Sequence, residues 1–573
     1  LNEVPATLAE RAYAVWPDLE NLMREAGIPA FTVDSHRPIK AFDLLGISFS
    51  TELGYTNMLG ALDLAGIPME ARDRGLDDPI VVAGGHAAFN PEPIADFIDV
   101  AVLGDGEEAV LEMTEVVRTW KLGGRTGGRE QLLINLAQVQ GVYVPSFYDV
   151  DYLPDGRIKR VVPNRSGIPF RVQKCTVMNL DEWPYPKQPL VPLAETVHER
   201  MSVEIFRGCT RGCRFCQAGM ITRPVRERSI TGIAAMVERG LNATGFEEVG
   251  LLSLSSADHS EIAEVAKGLA DRYADDQVAL SLPSTRVDAF NVTLANELSR
   301  NGRRSGLTFA PEGGSERLRK VINKTVTEED LIRTVTTAYA GGWRHVKLYF
   351  MVGLPTETDE DVLQIAKLAK AVVKAGRDAT GHKDIRCTVS IGGFVPKAHT
   401  PFQWAGQLDH VSTDRRLHAL KDAIGRDRSI GFRYHDGKPG IVEGLLARGD
   451  RRIGAVIKKV WQNGGRFDGW SEHFSYQRWM DSAAEVGIDV DWYTTRERGE
   501  VEVLPWDHLD SGLEKDWLWS DWLEALNSEE VDDCRWAPCY DCGVCPGMNT
   551  EIQVGPTGKT MLPLLVTPPL TKR

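Results

Sequence analysis

The chain has no run of about 18 apolar residues, which excludes a hydrophobic membrane-spanning helix. Its opening has no secretory pattern, so the expected compartment is the cytoplasm. Positive charge is not in excess: 66 Lys and Arg face 81 Asp and Glu, a net charge of −15 that argues against a general nucleic-acid coat. Internal repeats and low-complexity tracts are absent. The sequence starts at Leu1 instead of Met, and the strand that should open the first domain is missing, so the native start is expected upstream.

With 42% hydrophobic and 26% charged residues over 573 positions, the composition is that of a globular protein of three or four units at roughly 150 residues each. Residues 1–140 alternate β-rich segments (AFDLLGISFS, DPIVVAGGH, FIDVAVLG) with helical patterns, which predicts a doubly wound α/β domain. The glycines of VVAGGH and VLGDGEEAV fall at strand ends, suited either to a ligand's approach or to tight turns. Residues 141–200 read as a hairpin turning at PDG and a Pro-rich linker. From 201 to 425, six candidate strands (MSVEIF, EVGLLSLS, VALSLPS, GLTFAPE, HVKLYFMVG and RCTVSIGGF) alternate with helices, which predicts a partial (β/α)6 barrel of the TIM type. Residues 426–573 read as a small, mainly helical, Cys-rich region.

Cysteine is sparse outside two places. Cys175 and Cys387 stand alone and read as buried apolar thiols. Cys209, Cys213 and Cys216 form C-x3-C-x2-C directly after the first barrel strand, where such barrels place chemistry. A structural zinc wants four ligands in a closed tetrahedron, so three thiolates point to a reactive centre. On a [4Fe–4S] cubane they would leave one iron open. Gly208 and Gly212 permit the tight loop, and the nearby arginines would help balance cluster charge. A zinc site borrowing a distant His, or a redox pair, are the competing readings. The second group, Cys534, Cys539, Cys542 and Cys545 followed by Pro546, is a closed set of four that suits an auxiliary iron–sulfur cluster or zinc.

CTRGCRFC resembles the motif of the radical S-adenosylmethionine (SAM) superfamily, with Phe215 at its aromatic position. The resemblance implies a [4Fe–4S] cluster whose open iron chelates SAM, reductive cleavage to a 5′-deoxyadenosyl radical, and a flavodoxin- or ferredoxin-like electron donor. It also implies SAM contacts at later strand ends: Ser284 and Arg286 in SLPSTRVDAF, Glu312 in APEGGSERLRK, and Gly353 and Pro355 in YFMVGLPTET. FVPKAHTPFQW resembles a sixth-strand end found in RNA- and cobalamin-linked members. The second strand ends LSLSSADH where Gly-Gly-Glu is common, leaving Ser255 and Ser256 to serve the SAM amino group.

The domain order resembles that of an uncharacterised family of cobalamin-binding-domain radical SAM proteins, which implies cobalamin and methyl transfer to an unidentified substrate. The lower-ligand motif Asp-x-His-x-x-Gly is absent; Asp34-Ser-His36 reaches only Ile39 at its last position. Two alternatives stay open. One is an RNA-modifying enzyme of methylthiotransferase type, for which ARGDRRIGAVIKKVWQNGGR could present Arg448, Arg451, Arg452, Lys458, Lys459 and Arg466 around Trp461 as a phosphate-binding face. The other is a non-catalytic, metal-stabilised binding protein.

Overall fold

The computed structural model describes residues 1–183, 185–193, 196, 199–282, 287, 294, 297, 298, 300, 306–535, 539 and 541–552. The N-terminal sheet runs Leu44–Ser48, Ile80–Gly84, Val100–Val102 in parallel, with Val142–Tyr143 added antiparallel. Val81, Ala83, Val100 and Ala101 are all fully buried, as expected of parallel strands covered on both faces. Strand order follows chain order, so the described sheet is one wound half without a reversal point. The hairpin Tyr148–Tyr152/Ile158–Pro163 follows, its turn closed by Leu153 N–H donating to Arg157 O.

The barrel consists of two parallel sheets. In one, Glu248–Leu252 lies between Met201–Glu204 and Ala279–Ser281. In the other, the order is Leu307–Glu312, His345–Val352, Arg386–Gly393, Ile430–Tyr434. Helices cover them, and Thr327 and Thr358 each close a capping box with the aspartate three residues on. All six expected strands are present, although the end of VALSLPS runs into residues outside the described set. A seventh, Ile430–Tyr434, lies past position 425. It carries only one buried residue, Ile430, so no hydrophobic run announces it.

Helices Lys438–Arg448 and Ile453–Gln462 pack on the N-terminal domain and share its core. Their cations are consumed there. Arg451 pairs with Glu92 at 2.7 Å, Arg452 with Asp450 at 2.6 Å and Lys459 with Glu485 at 2.6 Å; Lys458 pairs with Glu70. Arg448 is fully buried on the carbonyls of Thr494 and Arg496, and Arg466 stacks over Trp461. Arg451 and Lys458 thus dock on the N-terminal domain and the others are engaged within the C-terminal region, in place of the phosphate-binding face these cations could have formed.

FVPKAHTPFQW is likewise interior. His399 lies buried with Nε2 against Phe89 O at 3.0 Å, and burial drives its pKa down to about 3. Gln403 accepts from Trp506 Nε1, and Phe402 meets Trp522 edge-on. This strand end joins the barrel, the N-terminal domain and the C-terminal region.

Candidate active site at the cysteine loop

The first barrel strand leads into Phe206–Arg207, which pairs antiparallel with Arg226–Glu227 and closes the intervening residues into a loop. Gly208 opens it at φ +91°, and a Cβ there would stand 2.6 Å from Pro224 O, so no side chain fits without movement. Cys216 caps the short helix Gln217–Ile221, its Sγ accepting from Gly219 N–H at 3.3 Å. A Cβ on Gly219 would meet Cys216 Sγ at 3.4 Å and Cys209 Cβ at 3.6 Å, so these two cysteines flank one glycine. Burial, and then the neighbouring Cys213 and Cys209, push the Cys216 thiol up to about 12. Thiols that oppose one another's ionisation are the donor set a cationic centre stabilises, because the metal charge inverts that penalty. Among the described residues no three or more His, Cys, Asp or Glu are drawn together as a site for a single ion. A cubane spreads its ligands more widely, one to each iron.

The arginines of the loop serve its attachment, in place of the expected charge balance. Arg207 is held by Asp105 (2.9 Å), Glu107 (2.7 Å) and Glu204 (2.9 Å). Arg211 bridges Asp258 (2.5 Å) and Asp533 (3.1 Å). Arg214 is fully buried, donating from Nε to Asp521 at 2.8 Å and from Nη1 to Glu529 O at 2.7 Å.

The strand-end residues separate into groups. Phe215 is half-buried and packs against the main core. Ser256 is committed internally: its Oγ donates to Leu251 O at 2.9 Å. Ser255 is buried, and among the described residues its Oγ has no partner. That hydroxyl lies three residues before Asp258, which Arg211 ties to the cysteine loop. Glu312 ends the fourth strand at φ +66°, just past a register shift, with Lys324 Nζ at 3.6 Å from its Oε1. A non-glycine residue held there reflects local strain of the kind that clusters at functional sites. Gly353 adopts φ +92° and gives its N–H to Glu357 Oε2 at 2.7 Å, so it contributes shape and not a donor; Pro355 follows, half-buried. Ser284 and Arg286 lie outside the described residues.

Of the C-terminal cysteines, Cys534 reaches the same loop. Cys534 Sγ donates to Thr210 O at 3.7 Å, between the first two cysteines of the motif. Asn323 joins the two segments, its Nδ2 donating to Gly212 O at 3.2 Å while its Oδ1 accepts from Val531 N–H at 3.0 Å. Cys542 is buried, Cys545 half-buried and Cys539 exposed. Burial, then Cys542, Cys534 and Cys539, push the Cys545 thiol up to about 12, so the four thiols feel one another's charge.

Between the N-terminal domain and the barrel lies a cavity of about 610 Å³. Its walls include Gly85, His86 and Gly104 from the first sheet's strand ends, and Glu204, Gly208 and Ser253 from the barrel. The strand-end glycines serve close packing: a Cβ on Gly85 would stand 2.4 Å from Phe49 O, and one on Gly104 2.0 Å from Cys175 O. His36 is exposed and lies edge-on to Phe31, away from these lining residues.

Three residues at the site escaped the sequence reading. Lys174 lines the cavity and is buried, donating to the carbonyls of Ile221 and Arg223 at 2.7 Å each. Burial, then Arg226, lowers its pKa to about 7. Burial lowers the pKa of His86. Glu357 is buried beside Gly353, and burial raises its pKa to about 7 against the pull of the Gly353 N–H and Arg416. Only Glu357 had a sequence signal, two residues beyond the Gly-x-Pro segment.

The family model described as "Radical SAM superfamily" matches residues 203–369, and that described as "Radical SAM proteins, N-terminal" matches residues 1–145. The chain belongs to the radical SAM superfamily. An uncharacterized protein of Methanocaldococcus jannaschii is 29% identical over 440 residues, 76% of this chain and 84% of that one. An uncharacterized methyltransferase of Pyrococcus horikoshii is 23% identical over 358 residues, 59% and 66% of the two chains. Among solved structures, the radical SAM methyltransferase TsrM of Kitasatospora setae, with cobalamin and a [4Fe–4S] cluster bound, aligns at TM-score 0.45 and 15% identity over 68% of this chain and 69% of that one. No helix among the described residues of this radical SAM protein is long and apolar enough to cross a membrane.

Proposed function

We propose that this radical SAM protein is an enzyme in which Cys209, Cys213 and Cys216 ligate three irons of a [4Fe–4S] cluster, leaving the fourth for the amino and carboxylate groups of SAM. The observation that carries this reading is the convergence of Cys209 and Cys216 on Gly219 at the end of the first barrel strand. When bound, the reduced cluster supplies the electron that cleaves SAM to methionine and a 5′-deoxyadenosyl radical. The chain's own residues bind and orient. Ser255 offers a buried, unengaged hydroxyl to a polar group of SAM, and Glu312 a carboxylate aimed by its strained backbone. Gly353 and Pro355 form an apolar edge for the adenine, and Phe215 packs the loop from behind. Ser284 and Arg286, which lie outside the described residues, are proposed as further SAM contacts from the sequence resemblance alone, and the electron would come from a flavodoxin- or ferredoxin-like donor in the cytoplasm.

The reaction on substrate is read as methyl transfer, with cobalamin in the cavity between the N-terminal domain and the barrel, where His86 and Phe89 would face it. The RNA-modifying alternative loses its main support, since the basic helix is spent on internal ion pairs. Electron paramagnetic resonance of the reduced, anaerobically purified protein tests the open iron: addition of SAM should alter the cluster signal. A signal indifferent to SAM would contradict the reading. Cobalamin should copurify with the full chain; SAM turnover by a cobalamin-free preparation that also methylates its substrate would remove that route.

A further inference from the structure

We propose that the second barrel sheet, on the face turned away from its helices, binds the phosphate groups of a small phosphorylated molecule through Lys347, Arg386 and Arg433. On the other face Leu348, Val389 and Ile430 share a core with Leu331, Ile365 and Leu417 of the covering helices. Side chains alternate along a strand, so the helix-free face carries Lys347 and Tyr349, then Arg386, Thr388 and Ser390, then Arg433. In a β/α barrel this is the inner face, which bulky apolar side chains normally fill. Here it is polar and open. Tyr349, Arg386 and Arg433 are exposed, and a Cβ on Gly392, next above Ser390 on this face, would meet nothing within 4 Å.

The charge on this face is of one sign. The chain holds 81 Asp and Glu against 66 Lys and Arg, so a cation without a carboxylate is unusual in it. Among the described residues none of these three cations has a carboxylate partner, and the side chains of Arg386 and Arg433 make no hydrogen bond. Lys347 Nζ donates to Tyr349 Oη at 2.5 Å. Register gathers the three: Lys347 lies opposite Thr388, two residues from Arg386, and Arg433 lies opposite Ser390. His345, opposite Arg386, feels them all. Burial lowers its pKa, and Arg386, Arg433 and Lys347 lower it further, with no carboxylate opposing them. Like charges gathered this way repel until an anion joins them.

Two guanidinium forks and an ammonium are the donors that phosphate oxygens favour. Arg386 and Arg433 stand four residues apart in register, about 13 Å, a span suited to a ligand with more than one phosphate. Ser390, beside Arg433, lies three residues before Gly393, so an anchored molecule has about 10 Å to the strand end. That this molecule is the substrate rests on the reading of the Cys209 loop as a SAM site; that it binds does not.

Isothermal titration of the full chain with sodium tripolyphosphate at constant ionic strength tests the site. The expected result is one-site binding, weakened about tenfold or more in Arg386→Gln and in Arg433→Gln. Both side chains are exposed and hold no partner among the described residues, so neither substitution should move the denaturant midpoint. No binding by the wild type, equal binding by the variants, or citrate binding as tightly as tripolyphosphate would overturn the proposal. A cluster resonance indifferent to SAM, alongside intact tripolyphosphate binding, would instead overturn the reading of the cysteine loop and leave the phosphate site standing.

Discussion

Arg214 lies between Cys213 and Phe215 and donates to Asp521 at 2.8 Å across 307 residues of sequence, with both side chains almost sealed from solvent. The motif that would carry the reactive cluster is thereby bolted to helix Lys515–Leu526, which in turn packs Trp522 against Phe402. The cysteine loop and the C-terminal region are held together by this pair.

Breaking that pair should be costly. Arg214→Met strands Asp521 in an apolar setting where burial already raises its pKa. A loss of about 3–5 kcal/mol is expected, as for other buried pairs deprived of one partner. Denaturant unfolding measures it. The double variant Arg214→Met/Asp521→Leu should recover part of the loss, because the orphaned carboxylate is then gone. A single variant as stable as the wild type would show that the loop does not depend on this bond.

Ser255 and Ser256 are neighbours with opposite expected behaviour. Ser256→Ala loses a buried hydrogen bond to Leu251 O and should cost about 1 kcal/mol of stability. Ser255→Ala removes a buried hydroxyl that has no partner among the described residues, so stability should hold or rise slightly. Its effect should fall on SAM affinity, read by equilibrium dialysis. The reverse pattern would exclude Ser255 as a SAM contact.

Glu92 sets an acid limit on domain docking. Burial opposes its charge, but Arg451 at 2.7 Å and His508 at 3.5 Å prevail and lower its pKa from 4.5 to about 2. The folded-state value lies below the unfolded one, so the carboxylate stabilises the fold. That contribution is complete above about pH 4.5 and fades as the pH falls towards 2. Its size is of order 3 kcal/mol, and Glu92→Gln should flatten this part of the stability–pH curve. A variant with the wild-type acid profile would contradict the assignment.

The parts legible in the sequence are those written locally. Three cysteines within eight positions, the two glycines that let the loop turn, and the six apolar strand patterns each need only a short window. Ile430–Tyr434 was missed because it buries one residue in five. The segment carrying Arg451 and Lys459 was open to misreading because its local pattern shows a run of cations but not that Glu92 and Glu485 meet them. The docking of the tail depends on Arg214–Asp521 and Asn323–Val531, pairs too far apart in the chain for any local pattern to announce.

The central claim is that Cys209, Cys213 and Cys216 hold a SAM-cleaving cluster. The most direct measurement is 5′-deoxyadenosine formed by the anaerobically reconstituted full chain with dithionite and SAM. The account predicts steady formation by the wild type and none by Cys213→Ala. Equal formation by the Cys213→Ala variant, or none by a wild type with its full complement of iron, would contradict it.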